Sequence, residues 1–346
     1  MTRPKTAQSL SPWRVGFLLL GLAVLVLLLR QIGLSTLLAY GRRLGWTFLA
    51  LIVLYGGVHF LRTLSWRACL REEGKRLPLG SALSLWVAGE SVAYLSFGWS
   101  GEAFRAAATR EVVPVERCLS ALLVSRIFYI YASLILTTVS FFLSLFLLPL
   151  AGAARGVVAA TALLMGAAVL FPLSGGARAI RLLRPVEAAL ARRKSSPLLQ
   201  RLQRLVRALE DDLAAVFSQQ KSTLVQLLGL NLLATLAGVL EVFLVLRALS
   251  VPTGPAAALL IEGMSKVLSI FTYWVPGTVG VREGGVVLIF RLFQMSAALA
   301  VTLVLVRRAR ALAWAGIGSL LVFLHGLRPL LQAPPTPEVS SKDNLV

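Results

Sequence analysis

Eight ionisable side chains lie inside stretches that are otherwise apolar: Glu90, Glu102, Arg105, Arg126, Glu241, Glu262, Lys266 and Arg307. Arg282 and Glu283 stand beside them in WVPGTVGVREGG at 274–285, where one proline and four glycines separate two apolar segments. An ionised side chain in hydrocarbon is costly unless it is paired or hydrated, so such residues mark pathways and binding sites. Arg282 offers a forked cation suited to phosphate. Gly277 and Gly280 let backbone approach a ligand closely. Pro276 ends or kinks a helical run, and a helix start beyond it favours an anion. Glu283 either orients Arg282 or carries a proton. The plainer alternative is a turn with an interfacial ion pair that touches no substrate.

The remaining charges sort by spacing. Glu262 and Lys266 are four residues apart and can pair on one helical face; Glu102 and Arg105 are three apart. Arg126 and Arg307 have no partner nearby in sequence, which makes them the expected headgroup ligands. The rival reading is that they snorkel to an interface. Glu90 completes the set. His59, near Arg62, reads as a packed or interfacial histidine. No nucleophile–base set, no HExxH and no P-loop pattern occurs, and Cys69, Cys118, His59 and His325 make no metal spacing. The chemistry expected is recognition of an anionic group, without catalysis and without a cofactor.

The elements that must position these residues are membrane helices. Hydrophobic residues make up 57% of the 346 and charged residues 14%, against about 45–50% and about 25% in soluble domains. Several apolar runs approach the roughly 20 residues that span a bilayer. The fold class is therefore all-α, a polytopic integral membrane protein. The net charge of +20 gathers in loops between apolar runs, as expected of cytoplasmic loops on anionic lipid, and argues against nucleic acid. Segment 15–29 follows Arg3, Lys5 and Arg14 and lacks a small-residue cleavage site, so it reads as a retained first helix. Further apolar segments fall at 46–64, 79–98, 118–150, 156–173, 222–248, 255–275, 284–295 and 297–324. Segment 177–221 carries ten basic residues, with Leu198, Leu202, Leu205, Leu209, Leu213 and Val216 at helical spacing. It reads as an amphipathic helix on the cytoplasmic membrane surface, or else as a solvated connector. The tail 331–346 is expected to be disordered.

Loop 65–78 and segment 177–221 both look cytoplasmic, yet three apolar segments separate them. Either 118–150 crosses twice, or 79–98 enters and leaves on one face. The same interrupted pattern recurs. Pro78, Gly80, Gly89 and Ser91 match Pro252, Gly254, Gly263 and Ser265 at a constant offset of 174. Glu102 and Arg126 match Glu283 and Arg307 at an offset of 181. The two copies, about 78–150 and 252–324, would lie inverted in the membrane. Paired interrupted segments of that kind point to a transporter binding site.

Four stretches give the chain a family likeness: HFLRTLSWRACL (59–70), SGEAFRAAATREVVPVERCLSALLVSR (100–126), GVLEVFLVLRALSVP (238–252) and VPGTVGVREGGVVL (275–288). With EGMSK and RRARALAWAGIG, they resemble the flippase-like membrane domain of lysylphosphatidylglycerol synthases, most closely its hopanoid-associated branch. Arg282 departs from that branch, where glutamine is expected. The resemblance implies a multi-pass protein of the bacterial inner membrane. It would move a phospholipid or hopanoid-type lipid between leaflets, with membrane lipids of anionic headgroup as partners. Bifunctional members add a soluble aminoacyl-transferring domain, which is not expected here. Two other classes remain open: a non-catalytic partner subunit of a lipid or envelope pathway, and a membrane lipid transferase.

Overall fold

The computed structural model describes residue 35 and residues 42–96, 99–150, 152–173, 197–218, 221–272 and 281–325. Every regular element among them is a helix. In chain order these are α1 (Trp46–Leu70), α2 (Glu72–Arg76), α3 (Leu79–Leu95), α4 (Ser100–Ala108), α5 (Val115–Leu147), α6 (Gly152–Leu173), α7 (Pro197–Ser218), α8 (Lys221–Ala248), α9 (Pro255–Thr272), α10 (Val281–Leu292) and α11 (Ala297–His325). Local chemistry sets several boundaries. Proline precedes α3 and α5 and opens α9, the place where its missing N–H costs nothing. Arg71, Ser250 and Gln294 adopt positive φ between consecutive elements, which a helix interior does not allow.

Among the described residues four helices are long and apolar enough to cross a membrane: Trp46–Leu70, Val115–Leu147, Gly152–Leu170 and Ser222–Ala248. Their outer faces expose Val53, Phe142, Phe146, Leu163 and Leu164, the surface that lipid would cover. α5 is unbroken over 33 residues, about 50 Å at 1.5 Å per residue. A double crossing by 118–150 is thereby excluded, because the chain does not reverse within it. The helices around the charged residues are shorter. α3 has 17 residues and α9 has 18, so each is about 25–27 Å long, under the roughly 30 Å hydrocarbon core.

The packing is reciprocal between the two stretches matched in sequence. α3 packs on α11, and α9 packs on α5. Ser91 Oγ donates to the Ala315 carbonyl at 2.7 Å and lies 2.9 Å from Ser319 Oγ. On the other side, Thr137 Oγ1 donates to the Gly263 carbonyl at 3.2 Å and Ser140 Oγ to the Leu259 carbonyl at 3.0 Å. The position 181 residues after Thr137 is Gly318. Gly318 rests against the Val87 carbonyl and Ser91, so close that a Cβ there would collide with both. α1 and α8 pack together beside these pairs.

The hydrophobic spacing on 198–216 does form a helix, α7, and the C-terminal part of its apolar stripe packs on protein while Leu202 stays exposed. Leu213 and Val216 are buried in one cluster with Trp66, Cys118 and Phe128. The part of segment 177–221 at 177–196 lies outside the described residues.

Candidate functional site

Two groups of charges form inside the bundle. The first is built by α3, α4 and α5. The break after α3 lets α4 turn back against it, and Arg105 then reaches Glu90 at 2.7 Å. Arg105 Nη2 also donates to the Trp86 carbonyl at 2.9 Å. Its guanidinium covers the Trp86 ring with the centroid 4.0 Å away. Only 1% of Arg105 is exposed. Gly89 makes this possible, because a Cβ at 89 would strike the guanidinium. From the same short helix Glu102 pairs with Arg126 of α5, and Trp99 covers Arg126 at 5.1 Å.

The second group is built by α8, α9 and α11. Glu262 takes two cations, Lys266 at 3.2 Å and Arg307. Glu241 also takes two, Arg307 at 3.2 Å and Arg310. The two carboxylates thus share Arg307, and both are nearly closed from solvent, at 3% exposure each. Arg310 lies over the Tyr55 ring at 3.6 Å.

Tyr129 of α5 links the second group to Arg62 of α1. Lys266 Nζ donates to its hydroxyl at 3.2 Å, and the Arg62 guanidinium stacks on its ring at 3.9 Å. His59, one turn before Arg62, sits between Tyr55 and Trp314 with centroid distances of 4.8 and 4.7 Å. It is buried, and neither ring nitrogen has a hydrogen-bond partner among the described residues. Charges from seven helices meet here, although each lies in an apolar stretch. In low dielectric such pairs hold only when both partners stay, and removal of one typically costs about 3–5 kcal/mol.

Residues 14–318 match the family model described as the lysylphosphatidylglycerol synthase TM region. The chain belongs to that family. No curated protein sequence and no solved structure matches it. The match covers nearly all described helices, and with four membrane-length apolar helices this family region is a multi-pass integral membrane protein.

The family region brings together most of the residues singled out by sequence and changes their partners. Glu262 and Lys266 pair as their spacing implies. Glu102 and Arg105 do not pair with each other; one faces α5 and the other α3. Arg126 and Arg307 are not free cations, because each is held by a glutamate distant in sequence. Gly277, Gly280 and the side chains of Arg282 and Glu283 lie outside the described residues. Sequence reading leaves out Arg310, Tyr129 and Tyr55. Polar rings at 55 and 129 and a third arginine in RRARALAW were the available signals, and helical spacing alone gives none of them a partner.

A separate ionic centre fixes α7. Asp212, 2% exposed, accepts from Ser120 Oγ at 2.6 Å and from Arg117, with Arg71 at 3.6 Å. Arg117 also approaches Glu73 at 3.9 Å, and Arg204 pairs with Glu116 at 3.1 Å. This centre ties α7 to the start of α5 and to the loop after α1.

Proposed function

We propose that this family region is a lipid transporter that moves a phospholipid or hopanoid-type lipid between leaflets. In this reading 78–150 and 252–324 are two inverted copies whose interrupted helices enclose a polar path. The headgroup travels along the charged interior while its apolar chains stay in lipid. The observation that carries the reading is the shared network of Glu241, Glu262, Lys266, Arg307 and Arg310, continued through Tyr129 to Arg62. Bare transfer of a charged headgroup through hydrocarbon is prohibitive, and a prearranged polar lining lowers that barrier. The short α3 and α9 support it too, since helices shorter than the hydrocarbon core leave polar backbone ends within it, where only a protein-lined cavity tolerates them. The site holds and releases; it makes no covalent bond.

The test is leaflet exchange in liposomes containing the purified protein and a fluorescent phospholipid, with a membrane-impermeant quencher outside. Wild type should expose inner-leaflet lipid to the quencher far faster than empty liposomes do. Glu262→Gln should slow that exchange at least tenfold. A chemically altered lipid would instead indicate a transferase. No exchange and no alteration would indicate a partner subunit.

A further inference from the structure

The charged interior does not balance. Arg62, Arg105, Arg126, Lys266, Arg307 and Arg310 are six cations, and Glu90, Glu102, Glu241 and Glu262 are four carboxylates. Among the described residues of this interior two positive charges are left over. The excess has a location. Arg62 makes no ion pair among the described residues; it faces the Tyr129 ring, and its Nε is buried without a hydrogen-bond partner. Lys266 lies near the same ring, with Nζ 5.4 Å from the centroid, and shares its one carboxylate among the described residues with Arg307. An unpaired cation inside a membrane protein is costly, and buried polar groups are ordinarily bonded.

A second observation falls at the same place. His59, on the helix that carries Arg62, is 2% exposed with both ring nitrogens unbonded. Glu90, Arg62, Arg105 and Arg310 all lie within electrostatic reach of it. The region is not sealed: Lys266 keeps 18% of its side chain accessible and Glu90 keeps 33%. Idle donors, surplus positive charge and residual access together define an anion site between α1, α5 and α9.

We propose that Arg62, Tyr129 and Lys266 form a phosphate-ester site, in which Arg62 and Lys266 flank the phosphate and the Tyr129 ring keeps the two cations apart. A phosphate ester carries one to two negative charges, which matches the surplus. A neutral lipid would leave that surplus uncompensated. The proposal deepens the transport reading above and rests on it for the lipid-borne source of the phosphate.

The probe is dioctanoyl phosphatidic acid, compared with dioctanoylglycerol, which differs only in lacking the phosphate. A ligand that binds the folded state raises the unfolding temperature, the more so the further its concentration exceeds its dissociation constant. Wild type in detergent should be stabilised by phosphatidic acid and not by dioctanoylglycerol. Arg62→Gln should raise the half-saturating concentration at least tenfold while leaving the unliganded unfolding temperature unchanged or higher, because a surplus charge is gone. Lys266→Gln gives a second variant with the same expected loss of response. Arg247→Gln, at an exposed arginine, should respond like wild type. Inorganic phosphate that competes would show that the site reads the phosphate alone; failure to compete would tie it to the lipid-borne ester. The proposal is overturned if Arg62→Gln binds within twofold of wild type or if dioctanoylglycerol stabilises equally. It is also overturned if Arg62→Gln lowers the unliganded unfolding temperature and keeps the ligand response. Leaflet exchange separates the two claims. Phosphate-dependent binding without exchange upholds this site and removes the transport reading. Exchange that survives Arg62→Gln removes this site and keeps the transport reading.

Discussion

Glu241 carries more of the interior than its position suggests, because it holds Arg307 and Arg310 at once. Glu241→Gln leaves both arginines without that charge, and the expected loss is about 3–5 kcal/mol of stability. Reversible unfolding in mixed micelles measures it. The double variant Glu241→Gln, Arg310→Met should recover at least half, since it removes a stranded charge and keeps an apolar stem. A loss that simply adds would show that the pair is not coupled. Gly89→Ala tests the other group, where the new Cβ meets the Arg105 guanidinium; overpacking of this kind costs about 1–3 kcal/mol. At this scale sequence is legible only along one helix. Glu262 and Lys266 are visible as a pair because four residues make one turn. The partner of Arg126 is not, because Glu102 lies across a loop on another helix. The partner of Arg307 is hidden for the same reason, with 45 residues between it and Glu262.

α7 shows how an element can be legible in form while its contacts are not. Its leucine spacing announces an amphipathic helix, and a stripe of that type suits a membrane surface or a protein face equally well. The deciding residue is Asp212, one of four acidic residues in the segment, and only its contacts with Arg117 and Ser120 distinguish it. Asp212→Asn removes the charge that holds two arginines, so α7 should detach locally while the apolar bundle stays folded. Hydrogen exchange of 197–218 should rise at least roughly tenfold, the equivalent of about 1.4 kcal/mol of lost local stability. Exchange in α8 and α11 should stay as in wild type. A uniform rise across all helices would mean that α7 is part of one cooperative core. The basic residues Arg201 and Arg207 are exposed on α7.

For the whole molecule, the reciprocal packing of α3 on α11 and α9 on α5 means that any relative motion of 78–150 and 252–324 must shear both contacts together. The constant offsets in sequence align residues of the two stretches, while their crossed packing is invisible there, because offsets say which residues correspond and not which residues touch. Small side chains line both contacts: Ser91 and Gly318 in one, Thr137, Ser140 and Gly263 in the other. They permit close approach and sliding where larger side chains would interlock. Ser91 and Ser319 offer a direct test, since their oxygens lie 2.9 Å apart and cysteines there fall within disulfide geometry. In the variant Ser91→Cys, Ser319→Cys, mild oxidation should cross-link α3 to α11. Leaflet exchange should then fall at least tenfold and return on reduction. The single variants, treated identically, should keep wild-type exchange. If exchange continues at full rate with the cross-link in place, the two halves do not move past each other at this contact, and transport would have to proceed along a static groove instead.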